Sequence, residues 1–402
     1  MSSEMNVVRQ PLVYKNMKDP SILKYYYKFQ TISQIEGNEV YGASPPDIFV
    51  GRYGYPHVYV GPMVPPTFGD TSILATPERW VGKDIAQIVQ MRSTLVRGMY
   101  RTKVTNADNG RIEEMLKELA IADNYGGVHE MLSSRPNLRM SFDDNSQPYG
   151  PSARLKDMRI EDLKVNKKLE NAYEDTAMTA KDAIVELYSK GILVSKIQKS
   201  LSAGILGTGK RRKFVPTRWS ITAVDDTLSK FRLRSVKEYE ALDHVRIYQT
   251  IALDNRWLII MLPGEWQYEL VEAWYPNTTW NMDSKDIQIF SSYEPFKGRT
   301  KYAEIGGCYY AARLASSELL DRIKLQARVV ILREAHPGYI LPVGVWNVRE
   351  HVRAALRGEP VMLENLDQAL AFIAKRMDIP VNIWVRNSTL LRKAVYQKTL
   401  FN

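Results

Sequence analysis

Apolar positions change their spacing several times along the chain, and each change marks a predicted element. Between residues 77 and 133 the spacing is helical. Pro77 suits a first turn, and Trp80, Ile85, Ile88, Val89 and Leu95 recur at close to 3.6 residues. The same period returns over about 166 to 203, where Leu169, Ala172, Tyr173, Thr176, Ala180, Ala183, Ile184 and Leu187 share a face. From 214 to 275 the pattern becomes strand-like, with runs at 219–224, 244–253, 257–262 and 266–274. Asp254-Asn255 and Pro263-Gly264 fall between runs, where turns belong. A helix at 311–326, a strand at 328–333, helices at 346–357 and 365–377 and a short strand at 381–386 complete the reading. Residues 43–69 are dense in Gly and Pro, which limits them to edge strands at 48–50 and 57–60 around a Gly54-Tyr55-Pro56 turn. Segregated helices and a meander predict an α+β fold, with a helical N-terminal half packed on a mostly antiparallel sheet in the C-terminal half. The polar stretch 134–156 divides a region 1–155 from an α+β region 156–395, followed by a tail 396–402; the whole can also fold as one compact unit.

Composition narrows the classes. The chain has 402 residues, of which 45% are hydrophobic, enough for a real core. The formal charge of +10 fits an anionic partner. With Cys308 as the single cysteine, no intrachain disulfide and no cysteine-based zinc cluster can form. The five histidines show no ligand spacing, so no metal site and no zinc are expected. No apolar run approaches the roughly 18 residues of a membrane span, and no hydrophobic leader follows Met1, so a cytoplasmic protein without a membrane partner is expected.

The densest chemistry lies at residues 204–226. Gly204 to Lys210 matches G-x-x-x-x-G-K, but a phosphate-binding P-loop needs Ser or Thr next, and Arg211 stands there. The predicted flanks, a helix before and Phe214-Val-Pro216 after, are also wrong for that motif. A basic loop hinged on Gly207 and Gly209 remains, carrying Lys210, Arg211, Arg212 and Lys213 and followed by Arg218 and Trp219. These side chains suit phosphate and base contact, with a solvated basic turn and a core Trp as the plain alternatives. Arg52 and Arg97 are further candidate cations. Asp225 and Asp226, at the end of the predicted strand 219–224, read as helix caps before they read as catalysts. His336, just beyond the strand at 328–333, is the remaining weak catalytic candidate.

Several strings together resemble the Nre-type archaeal DNA repair protein family. They are Ser44-Pro45-Pro46-x-x-Phe49-Val50-Gly51-Arg52-x-Gly54-Tyr55-Pro56, Val58-x-Val60-Gly61-Pro62, Gly69-Asp70-Thr71-Ser72, Arg92-Ser93-x-Leu95-Val96-Arg97-Gly98, and Lys213-x-Val215 through Asp226. The matching blocks run from about residue 30 to the C-terminus. The resemblance implies a cytosolic protein of the DNA damage response whose C-terminal peptide docks on the polymerase sliding clamp, of the PCNA type. Many relatives begin with a Cys-rich zinc element, which this sequence lacks. Gln397, Leu400 and Phe401 fit part of the clamp-binding pattern, with one aromatic where the pattern has two. Three functions follow: a repair protein that binds DNA and a clamp, a nucleotide-binding enzyme acting on nucleic-acid ends, with a nucleotide as possible ligand, or an adaptor that delivers partners to a clamp or an AAA+ unfoldase.

Overall fold

The computed structural model describes residues 37–45, 47–137, 146–282 and 284–401, with side chains described as far as Tyr396. Among these residues the strands form two six-stranded sheets. The first contains β1 (Glu39–Ser44), β2 (Ile48–Val50), β3 (His57–Val64), β4 (Val96–Lys103), β5 (Gly126–Leu132) and β6 (Ser152–Glu161), in the order β1-β5-β6-β4-β3-β2. The second contains β7 (Val245–Ala252), β8 (Asn255–Leu262), β9 (Gln267–Trp274), β10 (Gln288–Glu294), β11 (Arg328–Ala335) and β12 (Val361–Leu363), in the order β10-β9-β11-β8-β7-β12. One neighbouring pair in each sheet is parallel, β4 with β6 and β9 with β11; the other pairs are antiparallel.

The helices are α1 (Ile85–Ser93), α2 (Arg111–Ile121), α3 (Lys167–Glu174), α4 (Ala180–Ser189), α5 (Val194–Ser202), α6 (Thr217–Val236), α7 (Gly307–Ile323), α8 (Trp346–Leu356), α9 (Leu366–Arg376), α10 (Val381–Asn387) and α11 (Thr389–Phe401). Local chemistry starts several of them. Asp84 and Gln87 form a reciprocal capping box on α1, with Gln87 N donating to Asp84 Oδ1 at 2.7 Å and Asp84 N to Gln87 Oε1 at 3.0 Å. Asn166, Thr179 and Asn365 cap α3, α4 and α9 in the same spirit.

The α+β expectation holds, with helices and sheets in both halves. Four predicted segments depart from the expectation. The helical run 77–133 is interrupted by β4 and β5, and residues 152–161, partly inside the expected boundary segment, form β6. The predicted strand 219–224 lies within the long helix α6, and the predicted strand 381–386 lies within α10. In α6 the buried positions Ser220, Ile221, Val224, Leu228 and Ser229 recur at three- to four-residue spacing. Tertiary burial of that face outweighs the β-branched and aromatic composition of a six-residue window.

Helix α6 joins the two sheets. Its Val224 and Leu228 pack into the core beneath the first sheet, with Val58, Val60, Val128 and Phe214. Its Ile221, Leu233 and Val236 pack with α7 and α8 on one face of the second sheet. The other face of the second sheet is covered by α9, α10 and α11. No helix among the described residues is long and apolar enough to cross a membrane.

Candidate nucleic-acid interface

The basic loop is shaped by its glycines and by one of its own cations. Gly207 has φ +115, a conformation that a side chain would strain, and Gly209 N donates to Thr176 O at 2.9 Å. Arg212 turns inward: its Nε donates to Gly207 O at 2.8 Å, an Nη to Asp175 O at 3.0 Å, and its guanidinium lies 4.7 Å from the Tyr173 ring centre. Burial lowers its pKa. Arg212 therefore holds the loop together, and the expected four-cation surface reduces to three. Lys210, Arg211 and Lys213 are exposed, and none has an ion-pair partner among the described residues.

Backbone hydrogen bonds bring this loop to the Gly/Pro-rich segment. Phe214 N donates to Val104 O at 2.9 Å, and Val104 N donates to Pro56 O at 2.9 Å. Val50 N donates to the Thr217 hydroxyl at 2.9 Å, which ties β2 to the start of α6. Tyr55 consequently meets Trp219, with ring centres 5.2 Å apart. Trp219 is 46% exposed, so the core reading of this residue fails.

Arg218, Trp219, Thr222, Ala223 and Asp226 lie along one side of α6 and, with Tyr302 and Tyr310, line a groove of about 410 Å³. Tyr302 is 59% exposed, and its ring centre lies 5.3 Å from that of Tyr310. Asp226 is fixed by Arg313 and by Lys230, whose Nζ is 2.8 Å from Oδ2. Arg313 also pairs with the buried Glu294. Burial opposes its charge, yet Glu294 and Asp226 hold its pKa above the ordinary value. A cation and aromatic rings around a groove of this size can take a flat base together with its phosphate.

The other predicted site residues scatter. Asp225 lies one helical step from Asp226 and points into the core, where Arg349 Nη1 donates to both carboxylate oxygens at 3.0 Å and Gln198 Nε2 donates at 3.1 Å. Burial pushes its pKa up to about 6 against the opposing pull of Arg349. Both aspartates are inside α6, so neither caps a helix. Arg52 packs over Tyr53, 4.9 Å from the ring centre, close to the Tyr55–Trp219 pair in sequence. Arg97 is buried between Phe49 and Tyr149, at 4.3 and 5.4 Å from their ring centres, and donates to Tyr59 O at 2.8 Å. It has no carboxylate partner among the described residues, and burial lowers its pKa.

His336 is far along the chain from the groove, in a separate group. Glu334, His336 and Asp378 bring one possible ligand atom each within 4.8 Å of one another. The expectation of no metal-ligand set thus meets a geometrically compatible trio that spacing in sequence concealed. Glu334 is already occupied, accepting from Ile379 N at 2.9 Å and Asp378 N at 3.2 Å, and the His336 ring stacks on Tyr275 at 4.4 Å. Gln397, Leu400 and Phe401 fall on the last turns of α11, where side chains lie outside the described residues. Sequence reading missed Tyr55, Thr222, Tyr302 and Tyr310. The Gly54-Tyr55-Pro56 turn carried a local signal; Thr222 joins Arg218 and Trp219 only once that segment is read as a helix, and Tyr302 and Tyr310 reach the groove through tertiary packing.

Taken together, the described residues set a basic loop beside an aromatic groove in an α+β frame. Residues 16–281 match the family model described as Archaeal Nre, N-terminal, and residues 294–402 match Archaeal Nre, C-terminal. The chain belongs to the archaeal Nre family. It is 41% identical over 364 residues to DNA repair protein NreB of Archaeoglobus fulgidus, covering 90% of this chain and 91% of that protein. It is 36% identical over 386 residues to DNA repair protein NreA of Haloferax volcanii, covering 93% and 92%. It is 33% identical over 362 residues to DNA repair protein NreA of Archaeoglobus fulgidus, covering 87% and 89%. No solved structure matches the chain.

Proposed function

We propose that this chain is a DNA repair protein that holds DNA through the basic loop and the groove beside α6. The repair role rests on the names of its relatives. DNA contact rests chiefly on one observation: three exposed cations without ion-pair partners among the described residues adjoin the half-exposed Trp219. Lys210, Arg211 and Lys213 neutralise phosphates, and Trp219 and Tyr302 receive an unstacked base between Arg218 and the fixed carboxylate of Asp226. The same groove has room for a mononucleotide, which is the second reading; a nucleotide-induced rise in melting temperature lost on Trp219→Ala would favour it over DNA. A further contact is proposed through Gln397, Leu400 and Phe401 to a sliding clamp, from which an unfoldase or another partner could be reached.

A salt titration tests DNA binding. Each phosphate contact contributes about 0.9 to the slope of log K against log salt for duplex DNA, so a Lys210→Ala/Arg211→Ala/Lys213→Ala variant should lose about 2.7 from it. Identical affinity and slope in wild type and variant would remove the loop from any DNA contact.

A further inference from the structure

The first sheet has one face on the core and one turned away from it. On β3 and β4, Val58, Val60, Val96 and Tyr100 face the core, so His57, Tyr59, Met99, Arg101 and Lys103 face outward. The register extends that outer face across the sheet: Met99 pairs with Arg154 on β6, and Tyr41, His129 and Arg159 form one row across β1, β5 and β6. Near Arg97 the face is closed by Phe49 and Tyr149. Beyond Met99 it opens, and Arg101, Lys103, Arg154, Lys156 and Arg159 are exposed.

The charges on this face are not balanced locally. Among the described residues the five cations outnumber its three carboxylates, of which Asp157 is paired with Arg111, Glu39 lies 3.1 Å from His129, and Glu161 accepts from the Tyr41 hydroxyl at 3.0 Å. None of the five cations has an ion-pair partner among the described residues. Cations two residues apart on a strand are about 6.8 Å apart. That repeat is close to the separation of successive phosphates in an extended single strand. Aromatic rings sit at the margin of the same face. Tyr41 is 46% exposed and Phe68 68% exposed, with ring centres 5.1 Å apart, and His129 lies 5.8 Å from Tyr41.

From this arrangement we infer that the outer face of the first sheet is a platform for single-stranded nucleic acid, its backbone tracking the β4 and β6 cations and its bases stacking on Tyr41 and Phe68. The inference rests on the reading of the protein as a DNA binder and adds a second surface with its own substrate class. A duplex satisfies the cations but hides its base faces, leaving the exposed rings without a role; a single strand uses both. The His57–Lys103 end of the face adjoins Pro56 and Val104, and through them the basic loop, so a strand leaving the platform has a cationic path toward the groove beside α6.

The test is fluorescence anisotropy with a labelled dT20 oligonucleotide and a 20-base-pair duplex, on the full chain. An Arg101→Ala/Arg154→Ala/Lys156→Ala variant should bind dT20 at least tenfold more weakly, with a salt slope lower by about 2, at about 0.7 per phosphate of a single strand. Its duplex affinity should change less than threefold. A Tyr41→Ala/Phe68→Ala variant should weaken dT20 binding with the slope unchanged, because stacking releases no counterions. Wild-type affinity for dT20 in both variants, with binding still lost in the Lys210→Ala/Arg211→Ala/Lys213→Ala variant, overturns the platform and leaves the proposed function standing. Equal loss of dT20 and duplex in the cation variant overturns the single-strand assignment. A wild-type protein that binds neither probe overturns both readings. Melting temperatures within a few degrees of wild type show that the variants are folded.

Discussion

Replacing Asp225 by Asn separates a catalytic carboxylate from a structural one. Asp225 and Arg349 are both within 1% of complete burial, and the guanidinium reaches both carboxylate oxygens at 3.0 Å. Asn keeps the volume and removes the charge, which leaves Glu350, bound at 3.0 Å through Nε, as the ion-pair partner of Arg349 among the described residues. Breaking a buried pair from one side costs about 3 to 5 kcal/mol, and the residual Glu350 contact places this case near the lower end. At about 2.1 cal/mol/K per residue, unfolding a chain of 402 residues carries an entropy near 0.85 kcal/mol/K, so a loss of about 3 to 4 kcal/mol lowers the melting temperature by about 4 to 5 °C. Circular dichroism melting reads that shift. Removing both charges, in Asp225→Leu/Arg349→Met, should recover part of the loss, because the apolar pair leaves neither of its own charges unpaired and Glu350 keeps its bond from Arg353 at 2.9 Å. An Asp225→Asn protein that melts within 1 °C of wild type would refute the structural role.

Other outcomes follow from single contacts. His351 is buried, its Nδ1 donates to Asn347 O at 2.8 Å, and burial pushes its pKa down to about 4 from 6.5. The folded state therefore favours the neutral ring, and stability present above pH 6.5 is lost as pH falls toward 4, by about 3 kcal/mol in total. His351→Gln should flatten that part of a stability-versus-pH curve measured by urea denaturation, and an unchanged curve would exclude His351 as its source. Arg212→Met should remove two hydrogen bonds to loop carbonyls at a cost of about 2 kcal/mol and speed amide exchange over residues 204–213; unchanged exchange would mean the loop holds itself. Deleting residues 397–402 should abolish capture of a sliding clamp in a pull-down and leave DNA affinity intact, while retained capture would place the clamp contact elsewhere.

Much of the second sheet was legible because its strands are long apolar runs bounded by turns. Trp257 to Leu262 and Trp266 to Trp274 follow this rule, and the helix near 365–377 has plain amphipathic spacing, whereas those near 311–326 and 346–357 are buried on most sides. The first sheet was harder because its core side carries polar groups. Glu130 on β5 is buried, with its pKa raised well above the usual range by burial, and accepts from Gly98 N at 3.2 Å. A carboxylate at an inward position breaks the alternation that would mark a strand, and Gly98, which faces Glu130, leaves an inward position of β4 without an apolar side chain. Within the site, the Lys210–Trp219 segment was visible as chemistry, but its division of labour was not. That Arg212 and Asp225 turn inward while Lys213 and Asp226 stay outward depends on Asp175, Tyr173, Arg349 and Arg313, all remote in sequence.

Trp219 offers the shortest route to the question of whether α6 meets nucleic acid. Of the eight tryptophans, Trp80, Trp257, Trp266, Trp274, Trp346 and Trp384 are buried, and Trp280 is half-buried, whereas Trp219 is 46% exposed in the groove. A base stacked on Trp219 should quench tryptophan fluorescence as oligonucleotide is added, and Trp219→Phe should abolish the change while retaining most of the affinity measured by anisotropy. Quenching of equal depth in wild type and Trp219→Phe, or binding without any quenching, would contradict nucleic-acid contact at this groove.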